Sequence, residues 1–154
     1  MTHNSQTDTL RSNRQVAARI GREHYVVELR AGGHSMAADE PESAGGKDQG
    51  ASPYDYLLSG LGACIAITMR MYADRKEWPL ESVTVHLSHE KVRAGDDEGS
   101  GSRSGKADQI DCSLEIDGDL SDDQRRRLFE IAGKCPVHKT LTGTVRVNMD
   151  LAAT

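Results

Sequence analysis

The segment GASPYDYLLSGLGAC at residues 50–64 decides the architecture, because it introduces one long apolar helix among short strands. Ser52 can accept hydrogen bonds from the first-turn amides, and Pro53 suits the first helical position. Asp55 places a carboxylate where the helix dipole favours negative charge. From Leu57 to Tyr72 apolar residues occupy nearly every face, so we expect this helix to be buried on all sides. Such burial requires a sheet and a second helix, or a partner subunit.

Strand patterns lie on both sides of this helix. Residues 16–29 contain a β-rich run, and a hairpin or meander is expected there. Residues 83–92 and 110–116 alternate apolar and polar side chains, which predicts two further strands. The Gly-, Ser- and charge-rich stretch at 93–109 predicts a flexible loop between them. Residues 145–151 alternate as well and predict a final strand.

A second helix is indicated by the capping-box sequence SDDQ at residues 121–124, and it is expected to run to about Lys134. Cys135 and Pro136 end it, and residues 137–141 are expected to form one more helical turn. The order of strands and helices predicts the α+β class, with the helices on one side of the sheet.

Length and composition narrow the classes of protein to consider. With 154 residues, we expect a single domain over residues 14–152 behind a disordered tail at residues 1–13. Hydrophobic residues make up 36% of the chain and aromatic residues 4%, which is little for the core of a monomer. A second copy could complete the core by burying apolar surface between the two chains. The net charge of -5 argues against nucleic acid as a partner.

The tail has no signal-peptide core, and the longest apolar stretch, residues 56–69, is too short to span a bilayer. A cytoplasmic protein without membrane contact is therefore expected.

Three cysteines, an odd number, do not indicate a disulfide framework. Cys112 lies on an alternating strand and is interpreted as a small buried hydrophobic residue. Cys64 follows small residues within the apolar helix, where it is either core filler or a thiol with space beside it. Cys135 precedes a proline, and His138 and Lys139 bring positive charge close enough to favour a thiolate.

Residues 50–64, together with CPVHKTL at residues 135–141, resemble the OsmC/Ohr family of osmotically inducible and organic hydroperoxide resistance proteins. The sequence is most similar to the OsmC-like branch, which also carries the patterns at residues 39–41 and 70–73. The resemblance extends over residues 16–151. It implies antiparallel sheets wrapped around central helices in an intertwined homodimer, with the active sites at the subunit interface.

The resemblance also implies an activity, that of a thiol-dependent peroxidase for organic hydroperoxides and, less efficiently, hydrogen peroxide. Cys64 would be the peroxidatic cysteine and form a sulfenic acid, and Cys135 would resolve it as a disulfide. An external dithiol or lipoyl-type reductant would then restore the thiols. No bound cofactor and no metal are implied.

One position departs from the family pattern. Peroxidases of the family place a glutamate directly after the proline of the helix start, where it holds an arginine against the reactive thiolate. Here Tyr54 stands at that position and the acid comes one residue later, at Asp55. We consider Asp55, His138 and Arg22 as possible supporting residues.

Two other functions remain open from the sequence. The first is a non-catalytic stress protein of the same fold that binds an apolar ligand at the dimer interface. The second is a metal site, because Cys135 and His138 have ligand-like spacing and Cys64 could add a third ligand.

Overall fold

The computed structural model describes residues 15–94 and 105–152. The chain separates into two units, residues 1–55 and residues 56–154. The disordered tail expected at the N-terminus lies outside the described residues. The single domain expected over residues 14–152 stays a prediction.

The first unit contains a three-stranded antiparallel meander, as the sequence predicts. Its strands are β1 (Val16–Ile20), β2 (Val27–Ala31) and β3 (His34–Ala38), paired in that order. Gly32 and Gly33 make the turn between β2 and β3 with φ of +55° and +82°. Residues with a Cβ avoid this left-handed region, so two glycines favour a tight hairpin here.

The loop after β3 is organised around one buried carboxylate. Asp39 is 2% exposed, and it accepts backbone N–H bonds from Glu40 at 2.8 Å and from Lys47 and Gln49 at 3.1 Å each. Burial alone would raise the pKa of Asp39, but these three donors and the Lys47 charge together lower it. A 3-10 turn, Glu42–Ala44, lies within the same loop. This loop, polar and glycine-rich in sequence, is therefore an ordered structure.

The long helix α1 (Pro53–Arg75) begins where the sequence predicts it. The Ser52 backbone N–H and hydroxyl donate to Asp55 Oδ2 at 3.0 and 2.7 Å, and the Asp55 N–H donates back to Ser52 Oγ at 3.3 Å. This reciprocal cap satisfies amides that the helix leaves open. Glu77 has a φ of +56°, the left-handed conformation that commonly follows a helix end, and the helix stops before Pro79.

An antiparallel hairpin of two long strands follows, β4 (Leu80–Ala94) and β5 (Gly105–Gly118). Both strands extend into the region 93–109, which the sequence predicts to be a loop, so that prediction is wrong at both ends of the region. Residues 95–104 lie outside the described residues. Lys, Ala, Asp and Gln in the start of β5 are weak strand formers, and the pairing with β4 determines their conformation instead.

Two helices complete the second unit. In α2 (Asp122–Ala132), the Gln124 N–H donates to Ser121 Oγ at 3.2 Å and the Ser121 N–H donates to Gln124 Oε1 at 2.9 Å. This is the capping box that the sequence predicts. The short helix α3 (Pro136–Thr142) has Cys135 as its N-cap, which confirms the predicted break and further turn.

The core of the second unit lies between α1, the β4–β5 hairpin and α2. Met69 and Leu128 are both 0% exposed there. The buried face of α1 consists of Leu61, Ile65, Met69 and Ala73. The other face is open: Leu57 is 41%, Ile67 58% and Met71 66% exposed. The expectation that α1 is buried on all sides is therefore wrong for one chain, because the described elements pack on one face of it only.

The described helix also bears on the membrane prediction. At 23 residues, α1 is long enough and apolar enough to cross a bilayer by length and composition alone. The stretch 56–69 is the charge-free part of this longer helix. One face of α1 packs in the core of the second unit. The absence of membrane contact stays a prediction.

The C-terminal segment differs from its prediction. Residues 145–151 form no strand in the described part of the chain. Their apolar side chains are among the most exposed of the protein, namely Val145, Val147, Met149 and Leu151. An alternating sequence becomes a strand only where a neighbouring strand accepts its hydrogen bonds, and no such pairing forms here.

Candidate active site

Two thiols meet in the second unit. Cys64 lies in α1 and is half-buried, and its thiol is close enough to that of Cys135, at the start of α3, to change the pKa of Cys135. A Cβ on Gly62 would lie 3.0 Å from Leu87 Cδ1, so this glycine, two residues before Cys64, permits α1 to approach β4 closely. The structure therefore brings together the two cysteines that the resemblance assigns to catalysis. Their chemical roles stay a prediction.

The surroundings of Cys135 keep its proton on the sulfur. Burial raises the pKa of the Cys135 thiol, the His138 backbone N–H donating to Sγ at 3.2 Å lowers it, and the bond to Cys64 raises it again. The net effect is a raised pKa. Cys135 is therefore protonated at neutral pH, and the thiolate that its sequence neighbours favour is wrong, because burial of the sulfur outweighs the His138 N–H.

The two thiols also differ in accessibility. Cys135 is 0% exposed, whereas Cys64 is half-buried and can be reached from outside the core. Among thiols, those that are accessible and partly ionised react with peroxides, and buried neutral thiols are inert until a sulfenic acid forms beside them. The arrangement can therefore support one attacking sulfur and one resolving sulfur.

A cavity of about 350 Å³ lies in the same unit, lined mainly by apolar side chains. These are Leu61, Ile65, Ile110, Leu114, Phe129 and Leu141. Leu61 and Ile65 are the residues three before and one after Cys64 on α1. His138, three residues after Cys135, also lines the cavity. The cavity therefore borders both helices that carry the thiols.

Cys112 lies in the wall of this cavity and is exposed, so its interpretation as a buried core residue is wrong. Partial burial raises the pKa of its thiol. Cys112 pairs with Leu87 across the hairpin, on the sheet face that carries the core residues Val85 and Leu114. At its position, however, that face borders open space instead of packed side chains, which the alternating sequence cannot reveal.

The other residues considered from the sequence have different surroundings. The Asp55 carboxylate is engaged in the helix cap, where the Ser52 hydroxyl and then the Ser52 N–H lower its pKa. Arg22 is exposed between β1 and β2, and Tyr54 is exposed in the first turn of α1. Whether Asp55 or Arg22 supports catalysis stays a prediction.

The sequence interpretation missed two residues of the cavity wall, Asp108 and Phe129. Asp108 falls in the stretch interpreted as a loop, although the alternation of Ile110 and Cys112 could have been extended back to it. Phe129 is 64% exposed on α2, where an aromatic residue among charged neighbours was the available signal.

The structure also bears on metal binding. In residues 15–94 and 105–152, no three His, Cys, Asp or Glu side chains are grouped as metal ligands would be. The spacing of Cys135 and His138 is explained by capping, because the backbone N–H of His138 bonds the cysteine sulfur.

Comparison with protein families gives one match. The family model described as OsmC-like protein matches residues 46–150, more than half of the chain. Comparison with curated proteins finds no match.

Solved structures share the fold. An OsmC-like protein from Mycoplasma pneumoniae is 21% identical with a TM-score of 0.67, covering 84% of this chain and 87% of that one. An organic hydroperoxide resistance protein OsmC from Legionella pneumophila is 18% identical with a TM-score of 0.61, covering 84% and 89%. The organic hydroperoxide resistance protein OhrB of Bacillus subtilis is 18% identical with a TM-score of 0.57, covering 84% and 90%. At these identities the likeness shows the fold.

Proposed function

The chain belongs to the OsmC-like protein family, and on that premise we propose that it is a thiol-dependent peroxidase that reduces organic hydroperoxides in oxidative-stress defence. The observation that carries the proposal is the contact between an accessible Cys64 and a buried, protonated Cys135 beside an apolar cavity. Two of the structural relatives named above are described as organic hydroperoxide resistance proteins, which agrees with this substrate class.

The reaction follows from the two sulfurs. The Cys64 thiolate attacks the distal peroxide oxygen, the O–O bond breaks, and Cys64 becomes a sulfenic acid while an alcohol leaves. The Cys135 sulfur then attacks the Cys64 sulfur, and the S–O bond of the sulfenic acid breaks as the disulfide forms. The departing hydroxide takes the Cys135 proton and leaves as water. Because the two thiols are already in contact, resolution requires little movement of α3.

The cavity supports an organic substrate over hydrogen peroxide. Its wall is mainly apolar and its volume of about 350 Å³ matches small ligand pockets. Transfer of an alkyl or aryl group from water into the cavity is favourable, whereas hydrogen peroxide has no apolar group to bury against these walls. The regenerating reductant is proposed to be an external dithiol or lipoyl-type group, as expected for a cytoplasmic protein without a bound cofactor.

A homodimer is part of this proposal. One stripe of α1 carries Leu57, Cys64, Ile67 and Met71, whose successive spacings are seven, three and four residues. Apart from Cys64, these side chains are open to solvent in one chain. A second copy laid on this stripe would bury the apolar side chains and would place Cys64 at the interface.

The test of the function is a steady-state assay with tert-butyl and cumene hydroperoxides against hydrogen peroxide, using dithiol and monothiol donors. The proposal expects higher kcat/KM for the organic substrates and turnover sustained by the dithiol. Absence of peroxide-dependent dithiol oxidation in folded wild-type protein would contradict it.

The test of the dimer is a mass measurement by light scattering on wild type and an Ile67→Glu variant. A dimer for wild type and a monomer for the variant are expected, since a carboxylate would be buried in the interface. A folded monomeric wild type, or partition of wild type into detergent micelles, would contradict the dimer.

A further inference from the structure

The proposed reaction, on which this inference rests, requires a proton that neither cysteine supplies in the first step. When the Cys64 thiolate takes the distal oxygen, the proximal oxygen leaves with the electron pair as an alkoxide. An alkoxide is a much stronger base than a thiolate, and apolar walls solvate it poorly. The step is therefore fast only where an acid protonates the leaving oxygen.

The cavity wall contains few groups that could do this. Asp108 lies in the wall, but Lys91 Nζ donates to its Oδ1 at 2.7 Å and His89 Nε2 lies 2.8 Å from the same oxygen. These bonds lower the pKa of Asp108, that from Lys91 most. Asp108 is therefore a carboxylate and has no proton to give.

Two other wall residues are poorly suited as well. The Thr142 hydroxyl donates to the His138 carbonyl oxygen at 2.9 Å, so its hydrogen is engaged. Burial raises the pKa of the Cys112 thiol, which makes Cys112 a weaker acid than an ordinary cysteine. Among the described wall residues, the remaining titratable side chain is that of His138.

His138 is also held in position relative to the sulfur pair. Its backbone N–H donates to Cys135 Sγ at 3.2 Å, and the Cys64 thiol is close enough to Cys135 to change the pKa of that thiol. His138 is half-buried and lines the same cavity as Leu61 and Ile65, which lie three residues before and one residue after Cys64 on α1. We propose that the His138 imidazolium is the general acid that protonates the leaving alkoxide.

The step balances. The Cys64 thiolate, the hydroperoxide and the protonated His138 give the Cys64 sulfenic acid, the alcohol and neutral His138. Sulfur is oxidised by two electrons, the peroxide is reduced by two, and the proton moves from imidazole nitrogen to the proximal oxygen. Neutral His138 takes up a proton from water before the next cycle.

A change of leaving group tests this role. A peracid such as peracetic acid expels a carboxylate, which is a weak base and needs no proton, whereas cumene hydroperoxide expels an alkoxide. In a His138→Gln variant, the rate of Cys64 oxidation by cumene hydroperoxide should fall by about 100-fold, while the rate with peracetic acid should fall by no more than about threefold. The capping bond is retained because it comes from the His138 backbone.

His86→Gln is the matched control, since His86 pairs with Glu115 at 2.8 Å on the solvent side of the hairpin and has no place in the cavity wall. It should leave both rates unchanged. If His138→Gln destabilises the fold, His138→Ala with added imidazole replaces it, and imidazole should restore the cumene hydroperoxide rate selectively. Equal loss with both oxidants, or no loss with either, would overturn the assignment. Failure of wild type with both oxidants would instead overturn the proposed peroxidase function and this inference with it.

Discussion

The pair of serine variants at Cys64 and Cys135 separates the peroxidase from a protein that merely contains two core cysteines. Cys135 is the N-cap of α3, and its sulfur accepts the His138 N–H. Serine is a favoured N-cap whose oxygen accepts the same bond, so the buried hydroxyl of Cys135→Ser keeps a partner. We expect that variant to lose about 1 kcal/mol of unfolding free energy or less, and Cys135→Ala about 1–2 kcal/mol because the cap is lost. Serine is therefore the substitution that tests chemistry and not folding.

The assay is a titration with cumene hydroperoxide in the absence of reductant, followed by intact-protein mass and thiol counting. Wild type should lose two of its thiols, Cys64 and Cys135, for each peroxide consumed and should gain no oxygen, because a disulfide forms. Cys135→Ser should consume about one peroxide per chain, gain about 16 Da, and then add further oxygen towards the sulfinic acid. Cys64→Ser should show neither change.

The exposure of the two thiols gives the expected order of reactivity. Cys64 is accessible, whereas Cys135 is fully buried and protonated, so removal of Cys64 should slow the first oxidation by at least about 100-fold. Slow and equal oxidation of wild type and both serine variants would refute the assignment of an attacking and a resolving sulfur. So would a Cys64→Ser protein that still forms an oxygen adduct at Cys135.

Three further predictions test the cavity, the core and the first unit. Cys112→Phe narrows the cavity, so kcat/KM for cumene hydroperoxide should fall about tenfold while kcat/KM for hydrogen peroxide is maintained. An equal change in kcat/KM for both substrates would contradict the role of the cavity. Leu128→Ala should lower the unfolding free energy by about 2–5 kcal/mol in urea titrations, because Leu128 is 0% exposed, and a change under about 1 kcal/mol would contradict its placement. The lowered pKa of Asp39 adds stability that is fully present above its unfolded pKa of about 4 and is lost as the pH falls through the folded value. Asp39→Asn should therefore destabilise the protein most at neutral pH and least in acid, and a difference that does not vary with pH would contradict this.

The sequence was sufficient where local chemistry determines the structure. The reciprocal bonds at Ser52 and at Ser121 use side chains that lie three residues from their partners, so both helix starts could be predicted from spacing alone. The proximity of Cys64 and Cys135 could not be predicted from local spacing. Those residues are 71 positions apart, and only the family resemblance joined them before the structure did.

The sequence was insufficient where the secondary structure or burial of a residue depends on which other parts of the chain pack against it. The alternation at residues 145–151 predicts a strand, but a strand needs a neighbour, and none pairs with this segment in the described chain. Cys112 has the alternation of a core residue, yet it is exposed in the cavity wall. The hairpin strands extend into the expected loop because pairing with the opposite strand overrides the weak propensity of residues 105–109.

The misplaced expectations about α1 and about residues 145–151 have one physical cause. Both segments carry apolar side chains that the sequence pattern predicts to be buried and that are exposed in one chain. Ile67 is 58% exposed and Val147 is 79% exposed. An uncovered surface of this kind is costly in water, so a second copy is the occupant that the lean composition favours. Because Cys64 lies on the same stripe of α1 as Ile67, covering that stripe would also enclose the attacking thiol in an apolar environment. Assembly and catalysis are then linked: an Ile67→Glu monomer should keep the Cys64–Cys135 contact, which lies within one chain, and lose the enclosure that favours organic substrates. The disulfide of this monomer should still form with peroxide, while its preference for cumene hydroperoxide over hydrogen peroxide should decline. A monomer that retains the full preference would show that the cavity of a single chain is sufficient.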